Sequence, residues 1–166
     1  MPIPVYTRLE RLLAAAVEDM TVAKGYARDW TLYVPTFGGE GGGTGHVSNT
    51  SGLCVLVYLG PADPDNPIEH RGRTDHHQVL VALQMYVIGK PEDRLGETVE
   101  SARSDGVRAI QGADLTSLGE AYAGRPEFVA IGSELEGTQL SIDLIFSVPY
   151  ATTAGRPDLA PRESAG

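Results

Sequence analysis

Cysteine is almost absent. Cys54 is the single thiol among 166 residues, so no disulfide can form within the chain, and a reducing cytosol is the expected place of synthesis. Long apolar runs are missing too: none approaches the about 18 residues that a membrane span requires. The first residues, Met1-Pro2-Ile3-Pro4-Val5-Tyr6-Thr7-Arg8, lack the basic region of a secretory signal. Basic residues are scarce, with 13 Lys and Arg against 22 Asp and Glu and a formal net charge of −9. Phosphate contacts need clustered Lys and Arg, so a free nucleic-acid binder is excluded.

Catalytic and cofactor signatures are equally thin. The Gly-rich run 38–52 is followed by neither the Lys-Ser/Thr of a phosphate loop nor the helix of a dinucleotide fingerprint. His70, Asp75, His76 and His77 are the nearest approach to a metal site. Adjacent histidines on a strand point to opposite faces, however, and no second ligand cluster accompanies them. Cys54 lies among Leu53, Val55 and Leu56, where a thiol is inert. The carboxylate pairs Asp63/Asp65, Glu92/Asp93 and Glu134/Glu136 each have a turn or capping explanation. No catalytic residue, metal ligand or cofactor is therefore expected.

What is present suits one globular domain. At 42% hydrophobic residues the chain can bury a single core, and 20 Gly with 11 Pro divide it into many short elements. Val5, Leu9, Leu12, Leu13, Ala16, Val17 and Met20 recur at helical spacing, which predicts an amphipathic helix over 4–24 ending at Lys24-Gly25. Trp30–Val34 reads as a strand, 38–52 as a flexible arm, and Leu53–Leu59 as a strand apolar on both faces. Residues 60–73 read as a loop. Asp75–Ile88 reads as a strand reaching about 48 Å, long enough to project from the body. A second helix is predicted over 91–111, with Pro91 in its first turn and Leu95, Val99, Ala102, Gly106 and Ile110 as its buried stripe. Strands are predicted over 115–122, 126–135 and 139–149, the last two joined by the turn Glu136-Gly137-Thr138. Small and polar residues then suggest a mobile tail over 151–166. The fold class is α+β: one domain over 1–150, with an antiparallel-rich mixed sheet and two amphipathic helices packed on one face.

Charge is distributed unevenly. Residues 91–150 hold eleven acids and four bases, which is seven of the nine net negative charges. Glu92, Asp93, Glu97 and Glu100 head this region, either as a solvated face or as a surface that repels an anion. Glu69, Arg71 and Arg73 around Gly72 suit either a solvated loop or an ionic subunit contact.

The order of elements, the long strand Val79-Leu80-Val81-Ala82-Leu83-Gln84-Met85-Tyr86-Val87-Ile88, the helix after it and the ending Leu140-Ser141-Ile142-Asp143-Leu144-Ile145-Phe146-Ser147-Val148-Pro149-Tyr150 together resemble the tail terminator (tail-completion) proteins of long-tailed bacteriophages. The likeness spans about residues 5–150 and is one of order, size and texture. It implies a virion protein made in the host cytoplasm, forming a ring, typically a hexamer. Such a ring caps the tail tube, stops its polymerisation and meets the head connector, while DNA passes through the lumen without being held and no membrane is involved. On that reading the doubly apolar strands offer Val55, Val57 and Tyr86 as subunit contacts alongside Glu69, Arg71 and Arg73, and the four acids face the lumen. A small α+β enzyme or ligand-binding domain, with a pocket between sheet and helices, is the rival expectation. A neighbouring neck or head-completion protein is the other.

Overall fold

The computed structural model describes residues 3–34, 51–89 and 94–162. The elements are α1 (Val5–Glu18), β1 (Asp29–Leu32), β2 (Ser51–Pro61), β3 (Ile68–Arg71), β4 (Thr74–Ile88), α2 (Leu95–Gln111), β5 (Glu127–Glu136) and β6 (Gln139–Thr153). The six strands form one mixed sheet in the order β1-β2-β4-β6-β5, with β3 extending the β2 side of β4. Only β1 and β2 are parallel; every other pair is antiparallel. The fold is α+β, with the helices packed against the sheet.

Alternation along the long strands decides which face is covered. Val79, Val81, Leu83, Met85 and Val87 of β4 lie beside Val148, Phe146, Leu144, Ile142 and Leu140 of β6, and all ten are buried. The helices lie over this face. Val5, Leu9, Leu13 and Val17 form the buried stripe of α1, and Ala102, Gly106, Ala109 and Ile110 that of α2.

Gly106 has a reason to be glycine. A Cβ there would collide with Leu144 and lie 3.1 Å from Met85 Sδ and 3.2 Å from Leu83 Cδ2. Its absence lets α2 settle onto the sheet. At Gly96 nothing lies within 4 Å of an added Cβ. The two glycines should therefore answer alanine with opposite signs. Gly96→Ala should stabilise by about 0.5–1 kcal/mol through helix propensity, and Gly106→Ala should destabilise by about 1–3 kcal/mol through overpacking. Urea titration of both variants measures the difference.

Several expectations need correction. The first helix stops at Glu18, and Val22–Lys24 is a separate 3-10 turn closed by Gly25 at φ 88°. The side chain of Asp29 accepts from the Val22 N–H at 2.8 Å and fixes that turn. Residues 68–71 form strand β3 instead of a loop, because backbone pairing with 74–77 makes a hairpin around Gly72, φ 63°. Strand β4 does not project: β6 pairs with it along its whole length, from Thr74↔Thr153 to Ile88↔Gln139. Residues 116–121 form 3-10 turns, not a strand, and Leu115, Leu118 and Ala121 are buried at three-residue spacing. The chain after Tyr150 is no loose tail as far as residue 162. Ala151, Thr152, Leu159 and Ala160 are buried, and the Val5 N–H at the start of α1 donates to Pro157 O at 2.9 Å. Pro91, Glu92, Asp93, residues 163–166 and the Gly-rich arm up to Thr50 lie outside the described residues.

Candidate functional site

Helices on one side leave the other side of the sheet open among the described residues. Strand alternation sends Leu80, Ala82, Gln84 and Tyr86 of β4 to this open face. Val57 lies opposite Ala82, Val55 opposite Gln84, and Ile145 of β6 on the far side of Ala82. Val55, Val57, Tyr86 and Ile145 are half-buried by their neighbours alone. The three apolar contact candidates therefore fall on one surface, and it is the surface that no described helix covers. Tyr86 Oη donates to Gln84 Oε1 at 3.3 Å within it.

The charged candidates lie at one end of that face. In β3, Arg71 Nε donates to Glu69 Oε1 at 3.0 Å, and this bond holds the Glu69 carboxyl below its usual range. Both side chains are exposed, so the pair contributes little to stability. Arg73 follows in the hairpin turn. Arg71, Arg73, His76, Tyr122 and Arg162 line an open groove of about 730 Å³. Beneath it, on the covered side, Asp75 is buried. It accepts from the Gly155 N–H at 3.0 Å and meets His70 Nδ1 at 2.6 Å, and these bonds, the Gly155 one first, depress its carboxyl.

The histidines part as alternation requires. His76 lines the groove, whereas His77 turns to the covered side, stacks on Tyr150 with ring centroids 4.5 Å apart, and meets Thr152 Oγ1 at 2.9 Å. Burial pushes the His77 imidazole below its usual value. Among the described residues no three His, Cys, Asp or Glu side chains are grouped to hold a metal ion. Cys54 is buried, its thiol donates to Thr31 O at 3.5 Å, and burial raises it to about 12, so it is no nucleophile near neutral pH.

Of the four acidic candidates, Glu97 and Glu100 are described. Both are exposed on α2, on the opposite side of the sheet from Val55, Val57 and Tyr86. Each sits beside an arginine: Glu97 is 3.7 Å from Arg94, the residue just before the helix, and Glu100 is 2.7 Å from Arg103 within it. The Arg103 hydrogen bond lowers the Glu100 carboxyl. This stretch of α2 is therefore less anionic than its acids alone suggest.

No protein-family model matches the chain, and no curated protein matches it in sequence.

Proposed function

We propose that the chain is a structural, non-enzymatic virion protein: a tail terminator of a long-tailed bacteriophage. Made in the host cytoplasm, it closes into a ring, six-membered by resemblance, at the neck end of the tail. The ring caps the tail tube, ends its polymerisation and joins it to the head connector, and DNA crosses the lumen without being held. The observation that carries this reading is the one-sided packing of the sheet. Val55, Val57, Tyr86 and Ile145 stand on a face that nothing among the described residues covers. Apolar surfaces of this kind mark contacts with another protein.

Native mass spectrometry combined with electron microscopy of purified tail tubes tests it. The expected result is a ring that binds one end of the tube and halts its growth. A strict monomer that leaves tubes growing refutes it, and binding to the connector alone favours a neck or head-completion protein.

The acidic surface supplies a second measurement. Neutralising the exposed Glu97 and Glu100 should change stability by no more than about 0.5 kcal/mol per residue, and the same substitutions extended to Glu92 and Asp93 test the whole acidic group. If these acids face the lumen, DNA passage and infectious titre fall. An unchanged titre assigns them to an ordinary solvated face.

A further inference from the structure

The two long sides of the sheet end differently from each other, and the difference specifies how copies join. On one side β1 covers only the start of β2. Its last pair is Leu32↔Cys54, and the Tyr33 N–H donates to Cys54 O at 2.8 Å. Hydrogen-bonding direction alternates along a strand. Since Cys54 bonds toward β1, Leu56 and Tyr58 direct their N–H and C=O groups the same way, where no described strand meets them. A groove of about 530 Å³ runs along this edge, with Arg11 and Ala14 of α1 on one wall and Leu32, Leu56 and Tyr58 on the other.

On the far side of the sheet β5 pairs only with β6 among the described residues, which leaves its ten-residue outer edge without a described partner strand. Three large apolar side chains stand out on it: Val129 50%, Ile131 42% and Leu135 48% exposed. Ile131 lies opposite Leu144 and Leu135 opposite Leu140, so both sit on the helix side of the sheet, the side on which α1 builds the groove. A long, exposed apolar edge strand is a pairing site unless something covers it.

We propose that, in the ring inferred above, β5 of one copy adds as an antiparallel strand to the free edge of β2 in the next, its Ile131 and Leu135 filling the groove beside α1. The inference rests on the ring reading and names the surfaces that make it. Strand direction fits. Successive antiparallel pairs from β2 through β4 and β6 leave β5 antiparallel to β2 within one copy. A neighbour placed side by side in the same orientation therefore presents β5 antiparallel to β2, and the covered faces stay on one side. Charge selects the same arrangement. Strand β5 carries Glu127, Glu134 and Glu136 and no base. Two β5 edges would repel each other, whereas the receiving groove carries no net charge, with Glu10 beside Arg11 in its lining. The contact is head-to-tail, the class that forms a ring when the rotation between copies closes. It also brings Val55 and Val57, on the open face of the receiving strand, to the joint.

The test uses two full-length variants, each spoiled on one side. Ile131→Asp damages the inserted strand, and Ala14→Arg blocks the groove. Each alone is expected to be monomeric with an unchanged far-ultraviolet circular dichroism spectrum. Mixed in equal amounts they should give a dimer and nothing larger, because each keeps the surface that the other lacks. In the wild-type ring the Leu56 and Tyr58 amides should exchange hydrogen more than about tenfold slower than in dilute monomer. A wild-type chain that is monomeric at every concentration overturns the ring and this contact together. A wild-type ring that survives either substitution, or a mixture that stays monomeric, overturns the contact alone. Protection of Leu56 and Tyr58 that does not vary with concentration overturns it in favour of cover from the same chain.

Discussion

A chain ended after Tyr150 should lose roughly 4–6 kcal/mol of folding stability, enough to leave it largely unfolded, since whole domains hold only about 5–15. The loss has several parts. Leu159, buried at 9% exposure, contributes about 2 kcal/mol through its apolar surface. The last strand loses its ladder with Thr74, Asp75 and His76. The Thr153 N–H bond to Leu159 O at 2.8 Å, the Thr153 Oγ1 bond to Ala160 O at 2.9 Å and the Ala154 N–H bond to Arg73 O at 2.9 Å all disappear. Each such bond is worth about 1 kcal/mol net. Asp75 would also lose the Gly155 N–H while remaining in place. Leu159→Ala isolates the packing share and should cost about 2 kcal/mol in a urea titration. A truncated chain with the wild-type midpoint would show that residues 151–162 carry none of the stability.

Asp75 also gives this region a pH signature. Its carboxyl is depressed in the folded chain, chiefly by the Gly155 N–H and then by His70. The sign follows: the stabilisation is complete above the unfolded value of about 3.9 and is lost as pH falls through the lower folded value. Asp75→Asn should flatten that acid limb of stability, and thermal melts from pH 2 to pH 6, roughly the span of carboxylate titration, would record it.

The parts of the fold legible in the sequence are those in which side chains alternate. Val79 to Val87 announce one face of a strand read as apolar on both, Leu140 to Val148 announce a half-buried strand, and these two faces are buried residue for residue. Where backbone pairing does the binding, the side chains leave no pattern. Ile68-Glu69-His70-Arg71 is exposed throughout and is a strand only because 74–77 lies beside it. The segment after Tyr150 is bound largely through its main chain, and Leu159 is its one large apolar side chain. Leu115, Leu118 and Ala121 repeat at three residues, the period of a 3-10 turn and not of a strand. For the site, apolar residue type on both faces of the strands marked Val55, Val57 and Tyr86. The free edge of β2 was not legible, because it depends on where β1 stops. Helical spacing put Gly106 on the buried stripe, but its need to be glycine follows only from Leu144, Met85 and Leu83 beneath it.

Asp105→Ala is expected to destabilise the protein by about 2–4 kcal/mol, because it strands buried donors. Asp105 falls between Ala102 and Ala109 on the apolar stripe of α2, a position at which a carboxylate needs partners. It is buried at 6% exposure and has them. Trp30 Nε1 donates to Oδ2 at 2.9 Å, and the Ala27 N–H lies 3.1 Å from both carboxylate oxygens. These bonds tie α2 to the segment entering β1, and thereby to the short strand whose end leaves β2 free. The Trp30 ring also packs so closely over Gly52 that no side chain fits there. Loss of the carboxylate leaves the indole N–H unpaired in an apolar setting and lets the ring move. At a urea dependence of about 1–3 kcal/mol per M, the midpoint should fall by roughly 1–2 M. Trp30 is the only tryptophan, so its fluorescence reports this site alone and should shift to the red in the folded variant. Asp105→Asn keeps one acceptor and should lose about half as much, whereas exposed Glu100→Ala should change stability by no more than about 0.5 kcal/mol. Equal effects from Asp105→Ala and Glu100→Ala would mean that the buried carboxylate does not hold β1 to α2.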